Sequence, residues 1–230
     1  MTTFPSKIVL FGQNMTRDKL TKLIEKHQEK VTDEPRDYIG ASSIGSDCLR
    51  QIWYQFKGVK AEKVPTKFRR TWDIGKELEH VIIDWLIDAG IRVERLNFTL
   101  TSKTVPRFQG HIDSLIFFGD RGSILEVKTA KDASFKIFVK KGLKVWNPQY
   151  YAQIQSYMGM LEVNSAYILV LNKDNSALSD ELVTFDEEYY KKLEEKALMI
   201  SRSSIEPPRI SASPLWFKCK LCSYNKVCHK

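Results

Sequence analysis

The sequence predicts an α/β domain with a mixed central sheet, built in the order helix, three strands, helix, strand. Three stretches carry that prediction. Trp72–Ala89 sets Ile74, Leu78, Val81, Ile82, Trp85 and Leu86 at helical spacing and stops at Gly90. From Arg92 onward the pattern shortens: Arg92–Leu100 alternates, and Phe108–Phe118 and Ser123–Lys128 are two strands joined by a turn at Gly119–Gly122. Ser165–Leu171 is a continuous apolar run, as a strand buried on both faces would be. Helical segments over 133–140 and 148–161 lie before that strand.

Around this core, residues 16–30 form an amphipathic helix with Leu20, Leu23, Ile24 and His27 on one side, and Thr32–Asp37 a loop. Cys48–Phe56 suits a short helix and Asp186–Arg202 a charged one. Pro207, Pro208 and Pro214 lead into a short tail. The expected organisation is an N-terminal arm over 1–37, a core with helical insertions over 38–206, and a cysteine-rich tail over 207–230 that packs with the Cys48 region.

The 230 residues carry a net charge of +8 and a pI near 9.2, which favours a polyanionic partner, nucleic acid first. Val81–Ile87 and Ala166–Leu171 are too short to span a bilayer. The N-terminus lacks the basic start and cleavage site of a signal peptide, so a cytoplasmic protein with no membrane partner is expected. Lys128, Lys131, Lys136, Lys140, Lys141 and Lys144 face a single acid, Asp132, between positions 128 and 144. Such a cluster repels itself unless an anion lies over it. Arg50, Lys67, Arg69 and Arg70 extend the candidate phosphate path. Trp53, Tyr54 and Trp146 are candidates for base stacking, with core packing the better expectation for each.

The chemistry is concentrated in GHIDSLIFF, with Asp113, and SILEVKT, with Glu126 and Lys128. Strand alternation puts Glu126 and Lys128 on one face and Val127 on the other, and a hairpin brings Asp113 beside them. Two carboxylates and an ammonium in apolar strands are costly as structure alone. They suit Mg²⁺ or Mn²⁺, hard cations held by carboxylate oxygens. Such an ion polarises a scissile phosphate and lowers the pKa of a bound water. A second acid-x-lysine, Glu194–Glu195–Lys196, falls on the charged helix and reads as solvated surface.

These residues resemble the Asp…Glu-x-Lys signature of the PD-(D/E)xK nuclease superfamily, whose restriction-endonuclease-like core has the order αβββαβ. Ile112 stands where the superfamily name has proline. Gly110–His111–Ile112–Asp113 resembles the Gly-His-x-Asp strand of RecB-like nucleases, and Gln153–Tyr157 their Gln-x-x-x-Tyr motif. The resemblance implies catalytic roles for Asp113, Glu126, Lys128, Gln153 and Tyr157, the last two placing substrate from one helix face. It implies a metal set of Glu79, Asp113, Glu126 and Val127. Trp72–His80 resembles the superfamily's helical motif, in which many RecB-like members have a metal-binding histidine four residues after the glycine. Here that position is Glu79, as in relatives of the lambda-exonuclease type, with His80 the fallback.

Cys219, Cys222 and Cys228 form C-x2-C-x5-C, and Cys48 is the fourth cysteine of the chain. The spacing points to a metal site, zinc or iron–sulfur. A distant cysteine followed by this tail resembles the [4Fe–4S] staple of AddB-type nucleases and of CRISPR-associated adaptation nucleases. The resemblance implies that all four cysteines hold such a cluster, with zinc, and His229 as a substitute ligand, the alternative. Ile39–Ser43 and Trp53–Tyr54 also look like phage-encoded members. The expected activity is a metal-dependent DNA exonuclease working on ends or single strands in recombination, repair or phage DNA processing. The alternatives are a prespacer-trimming nuclease of CRISPR adaptation and a catalytically silent DNA-binding accessory protein. Lys131, Lys136, Lys140, Lys141, Arg69 and Arg70 are the expected DNA contacts.

Overall fold

The computed structural model describes residues 19–31 and 36–230, and for residues 97, 98 and 113 the backbone alone. In chain order the elements are α1 (Lys19–Gln28), β1 (Ile39–Gly40), α2 (Ala41–Ile44), α3 (Leu49–Phe56) and α4 (Thr66–Asp88). The strands β2 (Arg92–Thr101), β3 (Phe108–Phe118) and β4 (Arg121–Ala130) follow, then α5 (Asp132–Trp146), α6 (Pro148–Leu161), β5 (Ser165–Asn172), β6 (Leu178–Thr184), α7 (Glu187–Arg202), α8 (Phe217–Lys220) and α9 (Asn225–Cys228).

The sheet is mixed, as expected. It runs β1-β3-β4-β5-β6, with β2 pairing β3 off that path. β2, β3 and β4 are antiparallel neighbours, β4 and β5 are parallel across the α5–α6 crossover, and β6 returns antiparallel. One face buries Ile112, Ile124, Ile168 and Val170 together with Ile154, Met158 and Leu193 from α6 and α7. The other buries Ile116, Leu125 and Val127 under Ile82 and Ile83 of α4.

Several elements differ from expectation. β6 is absent from the prediction because Leu178–Thr184 alternates only weakly and holds two acids, as an edge strand tolerates. β5 is sealed on one face by Ala166, Ile168 and Val170 and covered in part on the other, where Leu171 is buried and Tyr167 and Leu169 are half-covered against the smaller core. α4 begins six residues earlier than read, at Thr66 rather than Trp72. Of its expected apolar stripe, Ile82 is buried, but Ile74, Val81 and Trp85 are exposed; Ile83 takes their place in the core. α5 runs on to Trp146 through a break at Gly142, whose φ of 73° is open to glycine. The Glu181 carboxylate accepts from the Leu143 N–H just after that break, at 2.7 Å.

Glu194 and Lys196 are not solvated surface. Glu194 accepts from Ser102, Thr104 and Tyr190, tying α7 to the β2–β3 loop. Lys196 donates to the carbonyls of Ile44 and Ser46, each at 2.7 Å, and its burial pulls its pKa below the ordinary lysine value. The pattern misled because all these partners but Tyr190 lie ninety or more residues away in sequence.

Candidate active site and cysteine pocket

β4 carries the centre of the site. Ser114 of β3 pairs with Leu125 of β4, and the next residue along each strand is Asp113 and Glu126. Strand β3 is irregular here: Ile112 and Leu115, three apart, both pack on the larger core, while Ile116 turns to the smaller one. β2 shifts register in the same stretch, between Arg95 and Phe98. Such bulges re-aim side chains and gather near active sites. The side chain of Asp113 lies outside the described residues, so its place is given by the backbone alone.

Glu126 is 5% exposed and ion-paired with Lys128, its neighbour on the same strand face. Gln153 Nε2 donates to Glu126 Oε1 at 3.3 Å and to the Tyr157 hydroxyl at 2.7 Å. Lys128 Nζ stands 4.8 Å from the Tyr150 ring centroid. Burial alone would favour the neutral amine of Lys128. The attached Glu126 carboxylate, then Tyr150 and Glu79, outweigh it and hold the pKa above the ordinary lysine value, so the amine stays a cation. Glu79, half-buried on α4, thus lies within electrostatic reach of Lys128, while His80 is exposed and sits one position round the helix. Val127 turns its side chain into the smaller core, which leaves only its main-chain carbonyl for any ligand.

Tyr150 was not among the expected site residues. The signal was present: Tyr150, Gln153 and Tyr157 fall at i, i+3 and i+7, one face of α6. Asn147 caps this helix, its side chain accepting from Gln149 and Tyr150 N–H with Pro148 at the first turn. Gly110 explains itself here, since a Cβ would run into the Tyr157 ring edge. Gly110→Ala is expected to push Tyr157 off Gln153 and lower turnover at least tenfold; rates beside a thermal melt check this, and an unchanged rate would remove Tyr157 from the site.

The basic residues divide. Lys136 is paired with Asp132 and Lys144 approaches Asp186 at 3.9 Å, so the lysine cluster is partly neutralised within the chain. Lys131, Lys140 and Lys141 are exposed. Arg70 is bound to Gln28 and Glu25 of α1. Arg50 serves the tail: it donates to the Pro207 carbonyl at 2.5 Å, pairs with Glu206 and reaches Cys228 Sγ at 3.9 Å. Trp53, Tyr54 and Trp146 are packed; the two indoles donate to the Ser203 carbonyl and the Ser134 hydroxyl.

The tail brings the four cysteines to one place. Cys48, Cys219, Cys222 and Cys228 line a hollow of about 50 Å³, walled also by Arg50, Tyr54, Tyr224 and His229. Burial, then the other cysteines, pushes the Cys219 and Cys222 thiols up, a cost that a positive centre among them would reverse. The Tyr224 N–H points at Cys222 Sγ at 3.4 Å, and it opposes that rise. Among the described residues no three His, Cys, Asp or Glu side chains close on a single metal ion.

A profile of the YqaJ-like viral recombinase domain matches residues 9–164. The fold is similar to an alkaline exonuclease, LHK-Exo, from Laribacter hongkongensis (TM-score 0.56, 16% identity, 78% of this chain and 90% of that one), which has also been solved in complex with dAMP. It is similar at the same TM-score of 0.56 to the solved protein SSO0001, 18% identical, over 91% of this chain and 93% of that one. Comparison with curated proteins finds no match. Among the described residues no helix is long and apolar enough to cross a membrane.

Proposed function

The chain belongs to the YqaJ-like viral recombinase domain family, and from that premise we propose that it is a divalent-metal-dependent DNA exonuclease of recombination or phage DNA processing. One observation supports the reading above the others. A buried carboxylate, Glu126, is held between a cationic Lys128 and the Gln153 amide on a strand whose neighbour carries Asp113. A fold alike to an alkaline exonuclease agrees with it.

The donor set fits Mg²⁺ or Mn²⁺. Glu126, Asp113 and Glu79 are the carboxylates that would hold it, with the Val127 carbonyl beside them. When bound, the ion supplies Lewis-acid polarisation of the phosphate and an acidified water. Lys128 meets negative charge growing on the phosphate with an ammonium already in place. Tyr150 keeps that ammonium from bulk water on one side. Gln153 orients the Glu126 carboxylate, and its bond to Tyr157 fixes its own rotamer. Lys131 directly after β4, with Lys140 and Lys141 on α5, would take the backbone of the departing strand.

We further propose that the four cysteines hold a [4Fe–4S] cluster. The four cysteines line one hollow, and their order, one distant cysteine before C-x2-C-x5-C, supports the cluster over zinc. Its role is to tie α3 to the tail.

Linear and covalently closed circular DNA of equal length, digested with Mg²⁺, test the activity. Loss of the linear form alone, with mononucleotide products, is expected. Cutting of the closed circle at an equal rate would make the enzyme an endonuclease.

A further inference from the structure

We propose that a second groove, between the cysteine tail and the first half of α4, binds a single DNA strand and leads it to the Glu126 centre, with Trp72 as the base-stacking platform. This rests on the nuclease reading above.

The groove has a volume of about 750 Å³ and is open to solvent. Among the described residues Arg36, Lys60, Lys63 and Arg69 line it with one acid, Glu62, which the tail engages through Lys226, so the described lining carries more positive than negative charge. Trp72 also lines it and is 57% exposed, although α4 has a core to pack on. An indole left in water beside four cations is the combination that binds single strands: phosphates along the charges, a base on the ring.

Position on the helix joins groove to site. Arg69, Trp72, Lys76 and Glu79 follow at steps of three and four, hence on one face of α4. Trp72 and Glu79 are seven residues apart, about 10 Å along the axis at about 1.5 Å per residue. The next residue on that face, Ile83, is buried in the smaller core. The face therefore passes from groove to carboxylate to core within four turns.

The tail builds the far wall. Gln51 and Tyr224 line this groove and the cysteine hollow alike, and the Glu62 N–H donates to the Ser223 carbonyl at 2.6 Å. Whatever the cysteines hold thereby fixes one wall of a strand-binding surface.

The test uses the full chain carrying Lys128→Ala, in EDTA, and reads anisotropy of a fluorescein-labelled single-stranded 20-mer. Binding without hydrolysis keeps the outcome independent of the nuclease reading, which fails separately if the native chain with Mg²⁺ cuts nothing. Trp72→Ala is expected to weaken binding by about 5- to 150-fold, the range of one lost base stack. Trp85→Ala, at an exposed indole on another face of α4, should leave it unchanged. Lys60→Ala with Lys63→Ala should lower the slope of log K against log salt by about 1.4, for two phosphates of a single strand. Blunt duplex of equal length should bind more weakly than the single strand. Equal losses in Trp72→Ala and Trp85→Ala, an unchanged salt slope, or equal affinity for duplex would each overturn the proposal.

Discussion

Lys128→Ala is expected to lower DNA hydrolysis by about 10²–10³-fold, the usual loss when a preorganised donor to a developing anion is removed. The cause is local. Lys128 is held as a cation by Glu126, Tyr150 and Glu79 against the pull of its own burial, so its charge is in place before the reaction. The substitution also strands the Glu126 carboxylate in a site 5% exposed. A buried charge that loses its partner costs about 3–5 kcal/mol. Two effects are therefore mixed in the single variant, and a second separates them. Lys128→Met with Glu126→Gln replaces the pair by neutral groups of similar volume. Most of the stability should return by chemical denaturation while hydrolysis stays at background. Recovery of hydrolysis with stability would show that the pair only holds the fold.

Cys48→Ala is expected to give a colourless chain that melts about 6–12 °C lower, the shift that about 3 kcal/mol makes in a domain of this size. The chain between Cys48 and the tail encloses most of the domain, so the proposed cross-link would remove a large loop entropy from the unfolded state. The tail would not simply detach. Lys218 with Asp47, Lys226 with Glu62 and Arg50 with the Pro207 carbonyl still bind it to α3 and the loops on either side of it. Visible absorbance and iron content of protein purified without oxygen, beside a melt, check this. An undiminished chromophore in Cys48→Ala would take Cys48 out of the ligand set, and zinc in place of iron would retire the cluster.

What the sequence disclosed follows the range of each interaction. Alternation within one strand put Glu126 and Lys128 on a common face, and they are paired. Helical spacing joined Gln153 to Tyr157, and the two are hydrogen bonded. Both relations span four residues or fewer. Long-range relations left weaker traces. The change of phase in β3 between Ile112 and Leu115 depends on how β2 bulges against it, which no pattern in β3 records. The exposure of Ile74, Val81 and Trp85 depends on how little of α4 the sheet covers, so an apolar stripe there overstated the core. Arg50 and Arg70 looked like phosphate contacts because their partners, Glu206 and Glu25, are distant in sequence. The groove beside Trp72 was hidden for the same reason, since its walls come from four separate stretches.

The most direct measurement is hydrolysis of end-labelled linear DNA against Mg²⁺ concentration, for the native chain and for Glu126→Gln, with DNA binding of each measured in EDTA. The account predicts a saturable Mg²⁺ dependence that EDTA abolishes, and for Glu126→Gln a rate at least about 10²-fold lower with binding retained. A native rate in Glu126→Gln, or hydrolysis undiminished in EDTA, would contradict it.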